Sequence, residues 1–231
     1  MANVDCYGAL IGSRGATIPL ANTLQVEGTL DETPTDSNYV GSQQSAGTYG
    51  DQLAGGFTLV SGGIVAENEI AYCFVRSAGT IKAAIPVGSS GLGGDSLPAP
   101  LPYPKRLVSG DQIMTMANTA ADREVGLSVA CTSGEYHCFS VSPAAPGEHE
   151  LVSVLTGLSI GETLQGRQVS HAFVTAGNNN LNFTSPVYIL DGSGIPTAAC
   201  LPNDTSTSSC EWHRVNAQIT LNSRATFRTD A

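Results

Sequence analysis

Between about Phe57 and Phe227 the apolar residues fall into short runs, alternating or continuous, each closed by Gly, Ser, Asn, Asp or Pro. Alternation has the two-residue period of a strand, whereas a helix needs apolar residues three and four apart. The clearest case is Val125, Leu127, Val129 and Cys131, interleaved with Glu124, Gly126, Ser128 and Ala130. The run at 136–141 predicts its hairpin partner. Near the C-terminus Val215, Ala217, Ile219 and Leu221 alternate with Asn216, Gln218, Thr220 and Asn222. Segments 186–190 and 195–199 flank Asp191-Gly-Ser-Gly, which has hairpin-turn chemistry. Segment 69–76 is apolar on both faces and predicts a strand that is central or covered on both sides. Further strands are expected at 80–87, 107–116, 150–155 and 167–175. In all, about nine or ten strands are expected, with turn signals at regular spacing, the pattern of an all-β antiparallel sandwich.

Two stretches break the pattern. Residues 89–104 are rich first in Gly and then in Pro and read as a crossover, since Pro is excluded from helix interiors and central strands. Residues 159–165 form the one helical candidate. Residues 1–56 are less regular: 31–37 and 41–50 have loop compositions, broken by scattered apolar residues such as Val4, Leu10, Ile18 and Leu24. The expected organisation is therefore an extended N-terminal arm with loops over 1–56 and a single β-sandwich domain over 57–231. The arm's apolar residues suit a segment that orders on a neighbouring subunit.

The chain of 231 residues is 41% hydrophobic, enough for a sizeable core, but only 13% charged, with a net charge of −10. A share of charged residues about half the usual one leaves a neutral, Ser/Thr/Asn/Gly-rich surface that is cheap to desolvate against partners. Lysine occurs only at Lys82 and Lys105, and no basic run exists. Phosphate backbones and anionic lipid surfaces both demand clustered cations, so neither nucleic acid nor membrane is an expected partner. The start, Met1-Ala-Asn-Val-Asp, lacks the features of a secretory signal, so synthesis in a cytoplasm is expected.

Six cysteines are present. Cys131 and Cys138 flank Thr-Ser-Gly-Glu-Tyr-His and could face each other across a hairpin; Cys200 and Cys210 close a polar loop. These two pairs are the candidate disulfides, with buried thiols as the other reading; either bond would form after the protein leaves a reducing cytoplasm. The spacings do not suit zinc, and no metal or cofactor is expected. Gly94-Asp-Ser-Leu97 spells the nucleophile motif of a Ser-esterase family, but Pro98, Pro100 and Pro102 bar the helix that the motif requires. Glu148-His-Glu150 reads as a solvated turn, and Glu135 and His137 as a same-face ion pair. An enzyme would need a dispersed set such as His171, Asp191 and a Ser; no catalytic residue is assigned. Trp212, Tyr136 and Tyr188 could stack on sugars in a carbohydrate- or receptor-binding module.

The strand start Leu107-Val-Ser-Gly-Asp-Gln-Ile, followed by regular strand–turn units up to Phe227, resembles jelly-roll viral capsid and phage decoration proteins. That resemblance implies a jelly-roll sandwich, symmetric oligomers, and copies of itself and other virion proteins as partners. It points to a virion structural protein. Because the basic arm common in small RNA-virus capsid proteins is missing, the shell of a double-stranded DNA virus or an outer layer fits better.

Overall fold

The computed structural model describes residues 2–12, 17–26, 39–40, 43–45, 57–66, 71–77, 80–86, 88–90, 99–107, 112–118, 125–141, 146–176, 185–203 and 212–229. Its side-chain detail lies in 100–107, 125–141, 146–174, 185–201 and 212–229. The fold is all-β, in sheets whose pairings among the described residues are antiparallel except for 63–65 with 88–90 and 174–175 with 202–203.

Among the described residues ten strands precede residue 119: β1 (Ala2–Gly12), β2 (Thr17–Val26), β3 (Tyr39–Val40), β4 (Gln43–Ser45), β5 (Phe57–Ala66), β6 (Ala71–Ser77), β7 (Thr80–Pro86), β8 (Gly88–Ser90), β9 (Ala99–Leu107) and β10 (Gln112–Asn118). One sheet has the order β2-β1-β5-β8, with β9 also on β5; the other runs β3-β10-β6-β7, with β4 also on β10. Since β1 pairs with both β2 and β5, residues on the two sides of position 56 share a sheet. The proline-rich stretch expected to be a crossover is, from Ala99 onward, strand β9. It pairs with β5 alone, as suits a segment whose prolines lack ladder donors.

The second half comprises β11 (Val125–Cys131), β12 (Tyr136–Val141), β13 (Gly147–Glu150), β14 (Val152–Ser153), α1 (Ile160–Leu164), β15 (Gln168–Ala176), β16 (Val187–Leu190), β17 (Pro196–Cys200), β18 (Pro202–Asn203), β19 (His213–Gln218) and β20 (Arg224–Thr229). One sheet has the order β14-β12-β11-β15, with β19 and β18 sharing the far side of β15; the second runs β13-β20-β16-β17. Among the described residues every strand pairing lies within 2–118 or within 125–229, so the pairing pattern divides at 119–124.

The two C-terminal sheets face each other across one core. Val125, Leu127, Val129 and Cys131 of β11 meet Phe139, Val169, Ala172 and Val174 from their own sheet, and Val187, Ile189, Ala225 and Phe227 from the other. Full burial of each Val, Leu, Ile or Phe among them stabilises by roughly 1.5–3 kcal/mol. The alternating residues of β11 do not face water. Gly126, Ser128 and Ala130 are also buried, beside Tyr136, Cys138 and Phe173 on the outer face of the same sheet. That outer face lies under β9, whose Leu101 and Leu107 are buried as well.

Helix α1 falls within the expected 159–165 and is capped by Ser159. The Ser159 hydroxyl accepts from the Glu162 N–H at 3.2 Å, and the Glu162 carboxylate accepts from the Ser159 N–H at 3.0 Å, a reciprocal capping box. The helix is seated by Gly161, whose N–H donates to the Ser223 carbonyl at 3.1 Å. A β-carbon there would lie 2.2 Å from the Leu221 carbonyl oxygen and 2.6 Å from that of Ser223. Backbone atoms at that range cannot step aside singly. We therefore expect Gly161→Ala to destabilise the protein by about 2–4 kcal/mol through overpacking, read as a lowered denaturation midpoint. An unchanged midpoint would show that the turn carrying Leu221 yields freely.

Candidate functional site

The densest set of polar and aromatic side chains lies where β9 crosses the outer face of the β12-β11-β15 sheet. An extended residue presents its N–H and C=O to the same side, and at Tyr103 both meet the Tyr136 hydroxyl. The Tyr103 N–H donates to the phenol oxygen at 2.7 Å, and the phenol O–H donates to the Tyr103 carbonyl at 2.5 Å. One side chain thus does for Tyr103 what a neighbouring strand would do. Tyr136 is 2% exposed. Burial pushes its phenol up to about 12, so it stays a proton donor throughout the ordinary pH range.

The Tyr103 side chain is held in turn by β15. Its hydroxyl lies 3.0 Å from Ser170 Oγ, which is also 3.0 Å from the Ala130 carbonyl and 3.0 Å from His171 Nδ1. A carbonyl only accepts, so Ser170 donates its single proton to Ala130, while Tyr103 and His171 act as donors to the Ser170 oxygen. That assignment of the imidazole proton follows from the network. The Tyr103 and His171 rings meet edge to face at 5.8 Å. Behind them Trp212 packs edge to face on Phe173 at 4.6 Å and on Tyr136 at 5.9 Å. Tyr103, the residue so held, stands between Pro102 and Pro104 in a Pro-x-Pro-Tyr-Pro segment, Pro100 to Pro104.

Two histidines lie on this sheet, His171 in the seam and His137 on the other face. His137 stands opposite Val129 in the β11–β12 hairpin. Burial first, together with Arg167 and Lys105, lowers its pKa, and Glu135 opposes them. His171 is lowered by burial and by Arg214. Glu135 does not pair with His137 as the sequence suggested. It sits 3.2 Å from Arg167, because the turn at 132–134 carries it towards the start of β15.

Of the other residues marked in the sequence, Cys131 and Cys138 do not meet. Six paired residues run from Val125–Val141 to Ala130–Tyr136, and this register sets Cys138 opposite Ser128 on the outer face, while Cys131 points into the inner core. Cys138 Sγ lies 3.5 Å from Ser128 Oγ. Burial raises the Cys131 thiol to about 11 and that of Cys138 to about 12. Cys200 is buried in the core with its thiol pushed up to about 11, and Cys210 lies outside the described residues. Asp191 is separate from His171: its Oδ1 accepts from the Ser193 and Ile195 amides at 2.8 and 2.9 Å and closes the β16–β17 turn.

Residues 147–150, read as a solvated turn, form β13, because Glu148-His-Glu150 pairs with Thr226–Arg228 of β20. Tyr136 and Trp212 do come together, but under β9 rather than on an open platform, and Tyr188 lies on the other sheet. Residues 94–97 lie outside the described residues. Among the described residues no group of three His, Cys, Asp or Glu is placed to hold a metal, and no helix is long and apolar enough to cross a membrane. Tyr103 was not singled out in the sequence; its one signal is an aromatic residue between prolines.

Compared with protein-family models, curated proteins and solved structures, the chain matches none.

Tyr136→Phe removes the group that satisfies both backbone atoms of Tyr103 and leaves them under a buried face. A loss of about 1–3 kcal/mol is expected by chemical denaturation; a loss below a few tenths would mean that water replaces the hydroxyl. The two histidines set a pH dependence. Their folded pKa values lie below the unfolded value, so the unfolded chain binds more protons as pH falls through the ordinary histidine range, and stability falls with it. The melting temperature should drop between pH 7.5 and 5.5, and His137→Gln should flatten that drop. A melting temperature that rises on acidification would contradict the sign.

Proposed function

We propose that the chain is a virion structural protein, a capsid or outer-shell subunit that assembles with copies of itself and with other particle proteins and carries out no catalysis. Strand order is the observation that carries this reading. In an eight-stranded jelly roll the first, eighth, third and sixth strands form one sheet and the second, seventh, fourth and fifth the other. Counting from β12, taking β11 as the eighth strand and setting aside the two-residue strands β14 and β18, the rows β12-β11-β15-β19 and β13-β20-β16-β17 fit that order. The C-terminal half is then a circularly permuted jelly roll. The strand that ordinarily ends the fold comes first and is tied to its neighbour by the tight turn at 132–134.

The surface supports assembly as well. At one end of the sandwich three turns lie side by side, linked by Gly161 against Leu221 and Ser223 and by Gly192 against Thr220 and Asn222. They present Leu158, Ile195 and Leu221, exposed at 44%, 60% and 51%. Each turn is braced by internal hydrogen bonds: Gly157 to Ser153, Gly194 to Asp191, Ser223 to Thr220. Large apolar side chains held rigidly in water lose little entropy on docking. A net charge of −10 with few cations fits a protein contact better than a genome contact.

Light scattering on the purified chain, with negative-stain images of the same peak, tests the reading. Closed oligomers, rings or shells are expected, and Leu158→Ser/Ile195→Ser/Leu221→Ser should shift the mass towards monomer. A wild-type chain that stays monomeric at high concentration would overturn it.

A further inference from the structure

The short strands β4 and β14 apart, adding ten to each strand number of the first half reproduces the second. The first half carries the rows β2-β1-β5-β9 and β3-β10-β6-β7, and the second carries β12-β11-β15-β19 and β13-β20-β16-β17. In each, one short strand lies parallel to a long one, β8 on β5 and β18 on β15. The irregularities repeat as well. Between β1 and β5 the register passes over Val60, from Gly12–Leu59 to Ile11–Ser61; between β11 and β15 it passes over Ser170, from Cys131–Val169 to Ala130–His171. The first hairpins close alike, with Ile11 opposite Thr17 and Ala130 opposite Tyr136. The chain is one strand pattern used twice, and register matches its positions.

Within the chain the two units meet in one way. The second offers the outer face of β12-β11-β15, and the first lays β9 across it, with β7 close to β12. Gly126, Ser128 and Ala130 of β11 and Tyr136 and Cys138 of β12 bring no charge to that face, so covering it strands no ion. In the first unit the matched positions are Tyr7, Ala9 and Ile11 on β1 and Thr17, Pro19 and Ala21 on β2, again without a charge. Over 6–11 and 17–22 neither alternating set of positions holds a charged residue, the pattern of a sheet covered on both sides rather than solvated on one. Two units in one chain make one such contact. The first unit's face has no third unit to meet unless another molecule supplies it.

We propose that the outer face of the β2-β1-β5 sheet docks the second unit of another copy, which presents β17 and β19 as the first unit presents β7 and β9. The matched strand shows the surface this needs. Ile195 and Leu201 flank β17, exposed at 60% and 62%, and between them Pro196, Thr197 and Ala199 are exposed and uncharged. Removing such side chains from water favours the contact. The Tyr103 hydrogen bonds are not repeated, since Thr17 stands where Tyr136 does; the contact between copies lacks them and forms as concentration rises. It joins unlike surfaces head to tail, and so closes into rings or runs into filaments. It names one interface of the assembly reading above and rests on that reading.

Two full-length variants separate the surfaces. Ala9→Glu charges the face and keeps the β17–β19 flank; Ala199→Glu/Leu201→Glu charges the flank and keeps the face. By light scattering and native mass spectrometry, each alone should stay monomeric at concentrations where wild type assembles. Mixed in equal amounts, they should give a one-to-one dimer that grows no further, because one intact face meets one intact flank. If Ala9→Glu is unfolded by circular dichroism, Thr17→Glu, beside the hairpin turn, takes its place. A variant that assembles as wild type does, or a mixture without the dimer, overturns the docking and leaves assembly by other surfaces standing. Open wild-type filaments, with the mixture stopping at the dimer, uphold the docking and overturn the closed particle. A wild type that stays monomeric throughout overturns both.

Discussion

All seven residues of β11, Val125 to Cys131, are buried, and a strand can give up both faces to protein only if each face meets a different layer. The inner face carries Val125, Leu127, Val129 and Cys131 and is met by the opposite sheet of the sandwich. The outer face carries Gly126, Ser128 and Ala130, none larger than a hydroxymethyl group, and on that face the segment containing Tyr103 lies close. Both β12 and β15 flank β11, so the double burial extends to Phe139 and Cys138 on one side and to Val174 and Phe173 on the other. Most of what is distinctive in the described structure, from the Tyr103 seam to the raised thiol pKa values, descends from this three-layer arrangement.

Burying an outer face raises the question of where its polar groups go. At the seam most of them find each other, the buried Trp212 indole N–H excepted: the Tyr136 hydroxyl takes both backbone atoms of Tyr103, and Ser170 gathers Tyr103, His171 and the Ala130 carbonyl around one oxygen. A network satisfied in this way orients β9 as well as holding it, because each hydrogen bond has one geometry. The prolines contribute by subtraction. Having no N–H, they leave the segment's carbonyls as its main polar groups, and the Tyr136 phenol donates to that of Tyr103.

The proposed virion role and the covered outer face of the β12-β11-β15 sheet share a physical basis. A chain with few charges can bring large surfaces together without stranding ions, and here that economy operates within the chain as well as at the exposed turns around Leu158, Ile195 and Leu221. Charge is concentrated elsewhere, at edges such as β13, where Glu148 and Glu150 face solvent and discourage strand addition. The opposite edge strand, β17, carries no charge but begins with Pro196 and contains a register shift, which guards it by geometry instead.

Periodicity made the strand content legible: β11, β12, β16 and β17 lie where alternation and turn residues put them, β19 ends at Gln218, short of the expected Leu221, and the helix falls within 159–165. Those signals are local, set by which side chains suit an extended or a turning backbone. Whether a polar or small face looks at water or at another layer is not local, so the Gly126, Ser128 and Ala130 face carried no mark of burial. The same holds for Cys131 and Cys138, close in sequence but assigned to opposite faces by a register that only the assembled hairpin fixes. It holds too for Glu135, which found Arg167 rather than His137. The sequence by itself determined an all-β chain, its turns and its low charge, because these depend on residues a few positions apart. The tertiary structure alone decided strand order, the second covered face and the meeting of Tyr103 with Tyr136, because those depend on packing between segments more than thirty residues apart.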